Sequence, residues 1–118
     1  MSQHHYRVLT EGNVHVVELE LPVVVDAAEF DRLNEAIQAD TDRAANGRWV
    51  LDLTRVQYIG SSMLGLMVNL RQRLKSGGGK LVLCGLSPHL SKAMYTCSLH
   101  SLFVITESRA EAVRKAGR

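Results

Sequence analysis

The stretch from residue 49 to residue 75, WVLDLTRVQYIGSSMLGLMVNLRQRLK, contains the change of pattern that decides the fold. Its first five residues, Trp49–Leu53, are nearly all apolar, which is typical of a strand buried on both faces of a sheet. After a turn through Gly60, apolar residues recur at the spacing of one helix face, with polar residues between them. These apolar residues are Met63, Leu66, Met67, Leu70 and Leu74. A buried strand followed by a helix with one apolar face is typical of a parallel α/β fold.

Strands and helices alternate on both sides of this stretch. Two runs of strand-forming residues near the N-terminus flank a Gly12-Asn13 turn and predict a β-hairpin. Downstream, Gly77-Gly78-Gly79 ends the central helix, and Ser87-Pro88 begins the next. The predicted order is β-β-α-β-α-β-α-β-α, with strands at 6–11, 14–21, 49–53, 80–84 and 102–105 and helices that begin at 26, 62, 88 and 108. We therefore expect a mixed, mostly parallel sheet in which the hairpin supplies an antiparallel edge.

The composition fits one globular domain. A chain of 118 residues can bury a core without disulfides or metals, so we expect residues 1–118 to form a single domain. Disordered tails are expected at 1–5 and 115–118, because the last helix, which the pair Ser108 and Glu111 begins, is predicted to end at Val113. Cys84 and Cys97 lie in apolar contexts, and we expect both thiols to be buried in a reducing cytoplasm.

Charge and hydropathy exclude several classes of protein. Lys and Arg number 14 against 12 Asp and Glu, a net charge of +2, which argues against a strongly basic nucleic-acid-binding protein. The charges of Arg71, Arg73 and Lys75 are expected to form a solvated helix face without direct nucleic-acid contact. No apolar run approaches the ~20 residues of a membrane span, and residues 1–5 are polar, so we expect neither membrane insertion nor a signal segment. These expectations together predict a cytoplasmic protein.

The segment 60–65, GSSMLG, is the candidate functional site. The loops that follow the predicted parallel strands lie at 54–62, 85–88 and 106–108, and in a parallel sheet such loops converge. The segment begins in the first of these loops. A phosphate-binding loop requires lysine and a hydroxyl residue where Leu66 and Met67 stand. A nucleophile elbow requires glycine where Leu64 stands. A serine at a helix N-terminus serves either as an N-cap or as a phosphorylation switch, and on physical grounds alone the cap is favoured.

The rest of the sequence does not indicate catalysis. The five histidines include no pair at helical i, i+4 spacing, and no set of Cys and His has zinc-site spacing. No acid–base pair or nucleophile triad is recognisable. We therefore expect a protein that is not an enzyme and that needs no metal and no cofactor.

These residues resemble those of a known family, the STAS domain, named for sulphate transporters and anti-sigma factor antagonists. The resemblance is most specific over 49–90 and extends through the element order over nearly the whole chain. The matching segments are Val50-Leu51-Asp52-Leu53, Val56, Ile59, Ser61-Ser62, Leu64-Gly65, Gly79, Leu81-Val82-Leu83-Cys84 and Ser87-Pro88. The resemblance implies the STAS fold, an α/β sheet with helices mainly on one side.

The resemblance also implies a function by protein binding. Single-domain members of this length resemble bacterial anti-sigma factor antagonists, which bind a kinase-like anti-sigma factor and thereby free a sigma factor for transcription. That kinase phosphorylates one serine at the start of the second helix and so switches binding off. Ser61 matches this position and Ser62 matches the hydroxyl residue after it. Gly60 stands where the family usually has Asp, and Met63 stands where it has Gly.

We therefore expect an anti-sigma factor antagonist in a phosphorylation-controlled partner-switching circuit. Its phosphoacceptor would be Ser61, and its partner-binding residues would be Gly60, Ser61, Ser62, Met63 and Leu64. Met63 or Leu64 would be an exposed apolar anchor. The implied partners are a serine kinase that acts as the anti-sigma factor and a PP2C-like phosphatase. The alternative is a divergent STAS scaffold or transporter-associated subunit without phosphorylation.

Overall fold

Strands and helices alternate along the part of the chain that the computed structural model describes, residues 5–118. The strands are β1 (Tyr6–Glu11), β2 (Val14–Leu21), β3 (Arg48–Val56), β4 (Lys80–Cys84) and β5 (Val104–Thr106). The helices are α1 (Ala27–Asp42), α2 (Ser61–Ser76), α3 (Pro88–Thr96) and α4 (Arg109–Gly117), with a 3₁₀ turn at His100–Leu102. The predicted order of strands and helices is confirmed.

The strands of residues 5–118 form one sheet in the order β1-β2-β3-β4-β5. β1 and β2 pair antiparallel through a turn in which Gly12 has a φ of +63°, a conformation that glycine adopts without strain. All later neighbours pair parallel, so each is connected by a helix that crosses over the sheet. This confirms the mixed, mostly parallel sheet and its hairpin edge, with β3 at the centre.

Helices cover both faces of the sheet, but unequally. Buried side chains of α1, α2 and α3, such as Leu33, Leu70 and Leu90, form the larger core on one face. On the other face, Ala112 and Ala116 of α4 pack against the valines and Cys84 of β2, β3 and β4. Helices mainly on one side are therefore confirmed. The single helix on the second face explains why Trp49–Leu53 has no solvent-exposed side.

Side-chain caps begin three of the helices as predicted. The Asp26 carboxylate accepts a hydrogen bond from the Glu29 amide at 3.1 Å. Ser87 Oγ accepts from the Leu90 amide at 3.1 Å, and Ser108 Oγ accepts from the Glu111 amide. In α2 the N-cap is Gly60, and no side chain caps this helix. The interpretation of a serine as the cap of α2 is therefore wrong, and both serines lie within its first turn.

The C-terminus differs from the expectation of a tail at 115–118. α4 continues to Gly117, four residues beyond the predicted end, and Ala116 is fully buried. Two cations of the sheet hold this end: Lys80 Nζ donates to the Lys115 carbonyl at 2.6 Å, and Arg48 donates to the Ala116 carbonyl at 2.9 Å. Cations that bond the last carbonyls of a helix stabilise its C-terminus. The N-terminal tail, 1–5, lies outside the described residues except for His5.

Two smaller expectations are also wrong. Cys84 is buried, and burial raises the pKa of its thiol to about 12, but Cys97 is exposed. The reason is that α3 ends at Thr96 and the chain then turns away at Ser98, whose φ is +58°. The last strand begins at Val104 instead of Leu102, because the 3₁₀ turn occupies the preceding residues.

Candidate functional site

The candidate site lies in the connection from β3 to α2, at the carboxyl ends of the parallel strands. The Gln57 amide donates to the Leu21 carbonyl at 2.9 Å, which ties the start of this connection to the end of β2. Gly85, the first residue after β4, lies against the end of β3 on the other side, since a Cβ at Gly85 would lie 2.2 Å from Thr54 Oγ1. The connections after β2, β3 and β4 therefore begin side by side at the edge of the sheet where the loops were predicted to converge.

Ser61 is the first residue of α2, and its side chain is exposed. Its hydroxyl makes no hydrogen bond to another of the described residues, and the helix is capped at Gly60 without a side-chain hydrogen bond. The first hydrogen bond of the helix is from the Met63 amide to the Gly60 carbonyl, at 2.9 Å. The amides of Ser61 and Ser62 precede it and belong to the unpaired donors that every helix start carries.

Ser62 is in a different situation, although it is also exposed. Its Oγ lies 2.6 Å from the phenolic oxygen of Tyr58, which is hydrogen-bond distance, with either oxygen as donor. The Tyr58 ring also packs against Phe30 of α1, with ring centroids 5.4 Å apart. Tyr58 was not among the predicted site residues. The only sequence feature that could have pointed to Tyr58 as a site residue is that it is an aromatic residue two positions before Gly60.

Met63 and Leu64 do not form an exposed anchor. Met63 is 0% exposed and Leu64 is 9% exposed, and both pack in the larger core. Met63 belongs to the apolar face predicted for this helix, and that face is buried, so the expectation that Met63 or Leu64 is exposed is wrong. The apolar side chains that reach solvent near the site are Ile59, at 42% exposure, and the neighbours Val23 and Val24, at 65% and 82%.

Val23 and Val24 belong to the segment between β2 and α1. The Leu21–Gln57 hydrogen bond joins the last residue of β2 to the first residue after β3. Val23 and Ile59 each lie two residues beyond this hydrogen bond, just past the carboxyl ends of the neighbouring parallel strands β2 and β3. Three exposed aliphatic side chains therefore lie on the same edge of the sheet as Ser61.

A cluster of charges on the α4 face was not predicted. Arg109 Nε donates to Asp52 Oδ2 at 2.8 Å, and Arg109 also bonds the Glu18 carboxylate. Arg7 donates to the other oxygen of Glu18 at 2.7 Å. Sequence spacing carries no signal for these contacts, since Arg109 is 57 residues from Asp52 and 91 from Glu18.

Hydrogen bonds, including those from Arg109, lower the pKa of both carboxyl groups. Burial acts to raise the pKa of Asp52, but hydrogen bonds from the Thr54 hydroxyl and amide and from Arg109 outweigh it and hold the pKa below its ordinary value. The hydrogen bonds from Arg109 and then Arg7 lower the pKa of Glu18. Both carboxylates are therefore ionised at neutral pH, and the cluster fixes α4 on the sheet.

Within residues 5–118, no group of three or more His, Cys, Asp or Glu side chains is arranged to hold a metal ion. In the same part of the chain, no helix is both long and apolar enough to cross a membrane.

Comparisons with known proteins agree with this geometry. The STAS domain profile matches residues 7–112. BtrV of Bordetella bronchiseptica, assigned by its name to the anti-sigma factor antagonists, is 34% identical over 89 residues, which are 75% of this chain and 76% of BtrV. A STAS domain protein of Planctomyces limnophilus superposes with a TM-score of 0.83 at 22% identity, covering 96% of this chain and 98% of that one.

The anti-sigma factor antagonist SpoIIAA of Bacillus has the same fold in two states. Its unphosphorylated form gives a TM-score of 0.72 at 16% identity, covering 96% of this chain and 97% of that one. Its phosphorylated form gives a TM-score of 0.66 at 18% identity, covering 93% and 97%.

Proposed function

Because the chain belongs to the STAS domain family, we propose that it is an anti-sigma factor antagonist that phosphorylation of Ser61 switches off. It acts by binding a protein, an anti-sigma factor that is also a serine kinase, in the cytoplasm. A PP2C-like phosphatase returns it to the binding form. The observation that carries the proposal is the exposed hydroxyl of Ser61, unpartnered among the described residues, at the N-terminus of α2.

Two of the compared proteins support the proposal. BtrV is assigned by its name to the anti-sigma factor antagonists, and its similarity to this protein covers three quarters of the chain. SpoIIAA is named as an antagonist and exists in a phosphorylated form, and it shares this fold.

The helix start explains how a phosphate can block binding without unfolding the protein. Phosphoserine carries about 1.5 to 2 negative charges at neutral pH. At a helix N-terminus, the macrodipole and the free amides of Ser61 and Ser62 favour negative charge by about 0.3–1 kcal/mol. The fold therefore tolerates the phosphate. A partner that packs against the small hydroxyl instead meets a bulky dianion, and a loss of ~3 kcal/mol weakens binding more than a hundredfold.

The binding surface is centred on Gly60, Ser61 and Ser62. Since Met63 and Leu64 are buried, they act by supporting the first turn of α2 from below. The apolar contacts come instead from Ile59 and from the pair Val23 and Val24. A regulatory complex buries ~800 Å² on each partner, so the contact extends from this centre to the adjoining part of α1.

The test compares Ser61→Ala and Ser61→Asp with the wild-type chain. After a pull-down has identified the kinase, its affinity for each chain is measured by calorimetry in the presence of ADP. We expect Ser61→Ala to bind like the unphosphorylated wild type and to resist inhibition by ATP. Ser61→Asp should bind at least tenfold more weakly while melting at nearly the wild-type temperature.

Ser101→Asp is the matched control, because Ser101 is exposed on the 3₁₀ turn. It adds the same charge outside the site and should leave affinity unchanged. If Ser61→Asp binds like wild type and mass spectrometry finds Ser61 unmodified after incubation with kinase and ATP, the phosphorylation switch is rejected. The scaffold or transporter-associated alternative then becomes the better hypothesis.

A further inference from the structure

Tyr58 connects three parts of the candidate site. Its ring packs on Phe30 of α1, and its hydroxyl reaches Ser62 Oγ at 2.6 Å in the first turn of α2. The ring is partly buried, so packing against α1 holds the phenol in this position. Tyr58 thus fixes the Ser62 side chain from outside the helix.

Gly60 provides the space for this arrangement. A Cβ added at Gly60 would lie 2.4 Å from the Tyr58 hydroxyl oxygen and 2.6 Å from the adjacent ring carbon. The φ of Gly60 is −64°, which any residue can adopt, so steric space is what requires glycine here. Any larger residue at position 60 has to displace the Tyr58 ring.

The two adjacent serines are consequently inequivalent. Ser62 Oγ shares a hydrogen bond with Tyr58, whereas the Ser61 hydroxyl has no partner in the described part of the chain. If Ser62 donates, its proton is engaged with the phenol. If Ser62 accepts, one of its lone pairs is occupied. Donation engages the proton that phosphorylation has to remove, and acceptance draws electron density from the oxygen that has to attack, so either arrangement makes the Ser62 oxygen less reactive.

We propose that Tyr58 is a positioning residue that selects Ser61 over Ser62 as the phosphoacceptor. This rests on the proposed function, since it requires the kinase. In the transfer, the serine Oγ bonds to the γ-phosphorus of ATP and the bond from that phosphorus to ADP breaks. The hydroxyl proton passes to a base of the kinase. The Tyr58–Ser62 hydrogen bond withholds the Ser62 oxygen from this reaction and leaves the Ser61 oxygen available.

The experiment asks whether Ser62 becomes an acceptor once Tyr58 releases it. The kinase identified by pull-down is incubated with γ-labelled ATP and with wild type, Ser61→Ala, and the double variant Ser61→Ala/Tyr58→Phe. Phenylalanine keeps the ring on Phe30 and removes only the hydroxyl. Phosphate at each serine is quantified by mass spectrometry of the peptides.

We expect wild type to carry phosphate on Ser61 and the Ser61→Ala chain to be labelled only slowly. The double variant should be labelled on Ser62 about five- to tenfold faster than Ser61→Ala, the rate gain that corresponds to one hydrogen bond. In the Ser61-containing chain, Tyr58→Phe should raise the ratio of phosphate on Ser62 to phosphate on Ser61. A purely structural role of Tyr58 would lower labelling at both serines together.

Gly60→Ala is a second way to release Ser62, because its Cβ pushes the phenol away. In the Ser61→Ala background it should raise the rate of labelling at Ser62 by the same factor. It therefore tests the role of Tyr58 even if Tyr58→Phe fails to fold. Two controls are matched to these changes. Tyr95→Phe removes the hydroxyl of a tyrosine in α3 that is 63% exposed, and Gly117→Ala adds a Cβ at the end of α4, where the nearest atoms lie 3.4 and 3.7 Å away. Neither should alter the labelling.

The outcomes separate this inference from the proposed function. If wild type is labelled on Ser61 but the double variant is labelled no faster than Ser61→Ala, Tyr58 has no selecting role and the switch at Ser61 stands. Equal labelling of Ser61 and Ser62 in wild type also overturns the selection. If an active kinase labels neither serine of wild type, both the phosphorylation switch and the inference are wrong.

Discussion

At the scale of single residues, the residues of α2 that stabilise the fold differ from those that form the candidate site. Leu70, near its middle, is 1% exposed and lies in the larger core with Leu66 and Leu74. Ser61 and Ser62, in its first turn, are exposed. Changes in the first turn can therefore alter binding without much effect on folding, whereas changes to the buried leucines act on folding.

Leu70→Ala should reduce the free energy of unfolding by ~2–5 kcal/mol, the range for a fully buried leucine whose cavity does not collapse. Urea denaturation followed by circular dichroism measures this loss. The exposed neighbour Asn69 is the control, and Asn69→Ala should change stability by no more than about 0.5 kcal/mol. A loss below 1 kcal/mol for Leu70→Ala would contradict the packing of α2 on the sheet.

At the scale of elements, α4 is held by contacts at both of its ends. Its first residue, Arg109, pairs with Asp52 of β3 and with Glu18 of β2. Its last carbonyls accept hydrogen bonds from Arg48 and Lys80. Between these ends only the alanines at 112 and 116 are fully buried. Because α4 buries so little apolar surface, its polar contacts supply a larger share of what holds it on the sheet than the polar contacts of α1 or α2 do.

Arg109→Met should destabilise the protein by about 2–4 kcal/mol, because it leaves the Asp52 carboxylate, with 7% of its side chain exposed, without its cation. Arg55 offers a matched control. It pairs with Glu20 at 3.4 Å, and both side chains are more than 60% exposed. Arg55→Met should therefore cost less than about 1 kcal/mol. Equal effects of the two substitutions in urea denaturation would show that the charge cluster does not hold α4.

At the scale of the whole molecule, the charge cluster makes stability depend on pH. The folded-state pKa values of Asp52 and Glu18 lie below their ordinary values of 3.8 and 4.5. The unfolded chain therefore binds protons on these groups at a higher pH than the folded chain does. Their contribution to stability is complete above the unfolded pKa values and is lost as the pH falls through the lower, folded ones.

We expect the free energy of unfolding of wild type to fall steeply as the pH drops below about 4, where these carboxylates take up protons. In Arg109→Met the pKa values of Asp52 and Glu18 should rise. The stability gap between the two chains should then be largest at neutral pH and shrink in acid. Urea denaturation at a series of pH values from 7 to the acid limit measures the gap. Parallel curves for the two chains would rule out the cluster as the cause.

How much could be predicted from the sequence differs between the fold and the site. The strands, the helices of the larger core and three caps were predicted, because periodicity and capping are local properties of residues a few positions apart. The end of α4 was not, since its last turn is held by Arg48 and Lys80 from distant strands. Cys97 was misjudged for a similar reason: the apolar context gave no sign that α3 ends at Thr96.

The sequence by itself determined that this is a mostly parallel α/β domain with Ser61 at the start of a helix, because both properties follow from short-range patterns. Only the tertiary structure decided which side chains near that serine reach solvent. It buried Met63 and Leu64 in the core, and it brought Tyr58 onto Phe30 and the hydroxyl of Ser62. It also joined Arg109 to Glu18 and Asp52 across the sheet. Such contacts depend on how separate elements pack together, and the spacing of residues along the chain contains no record of that.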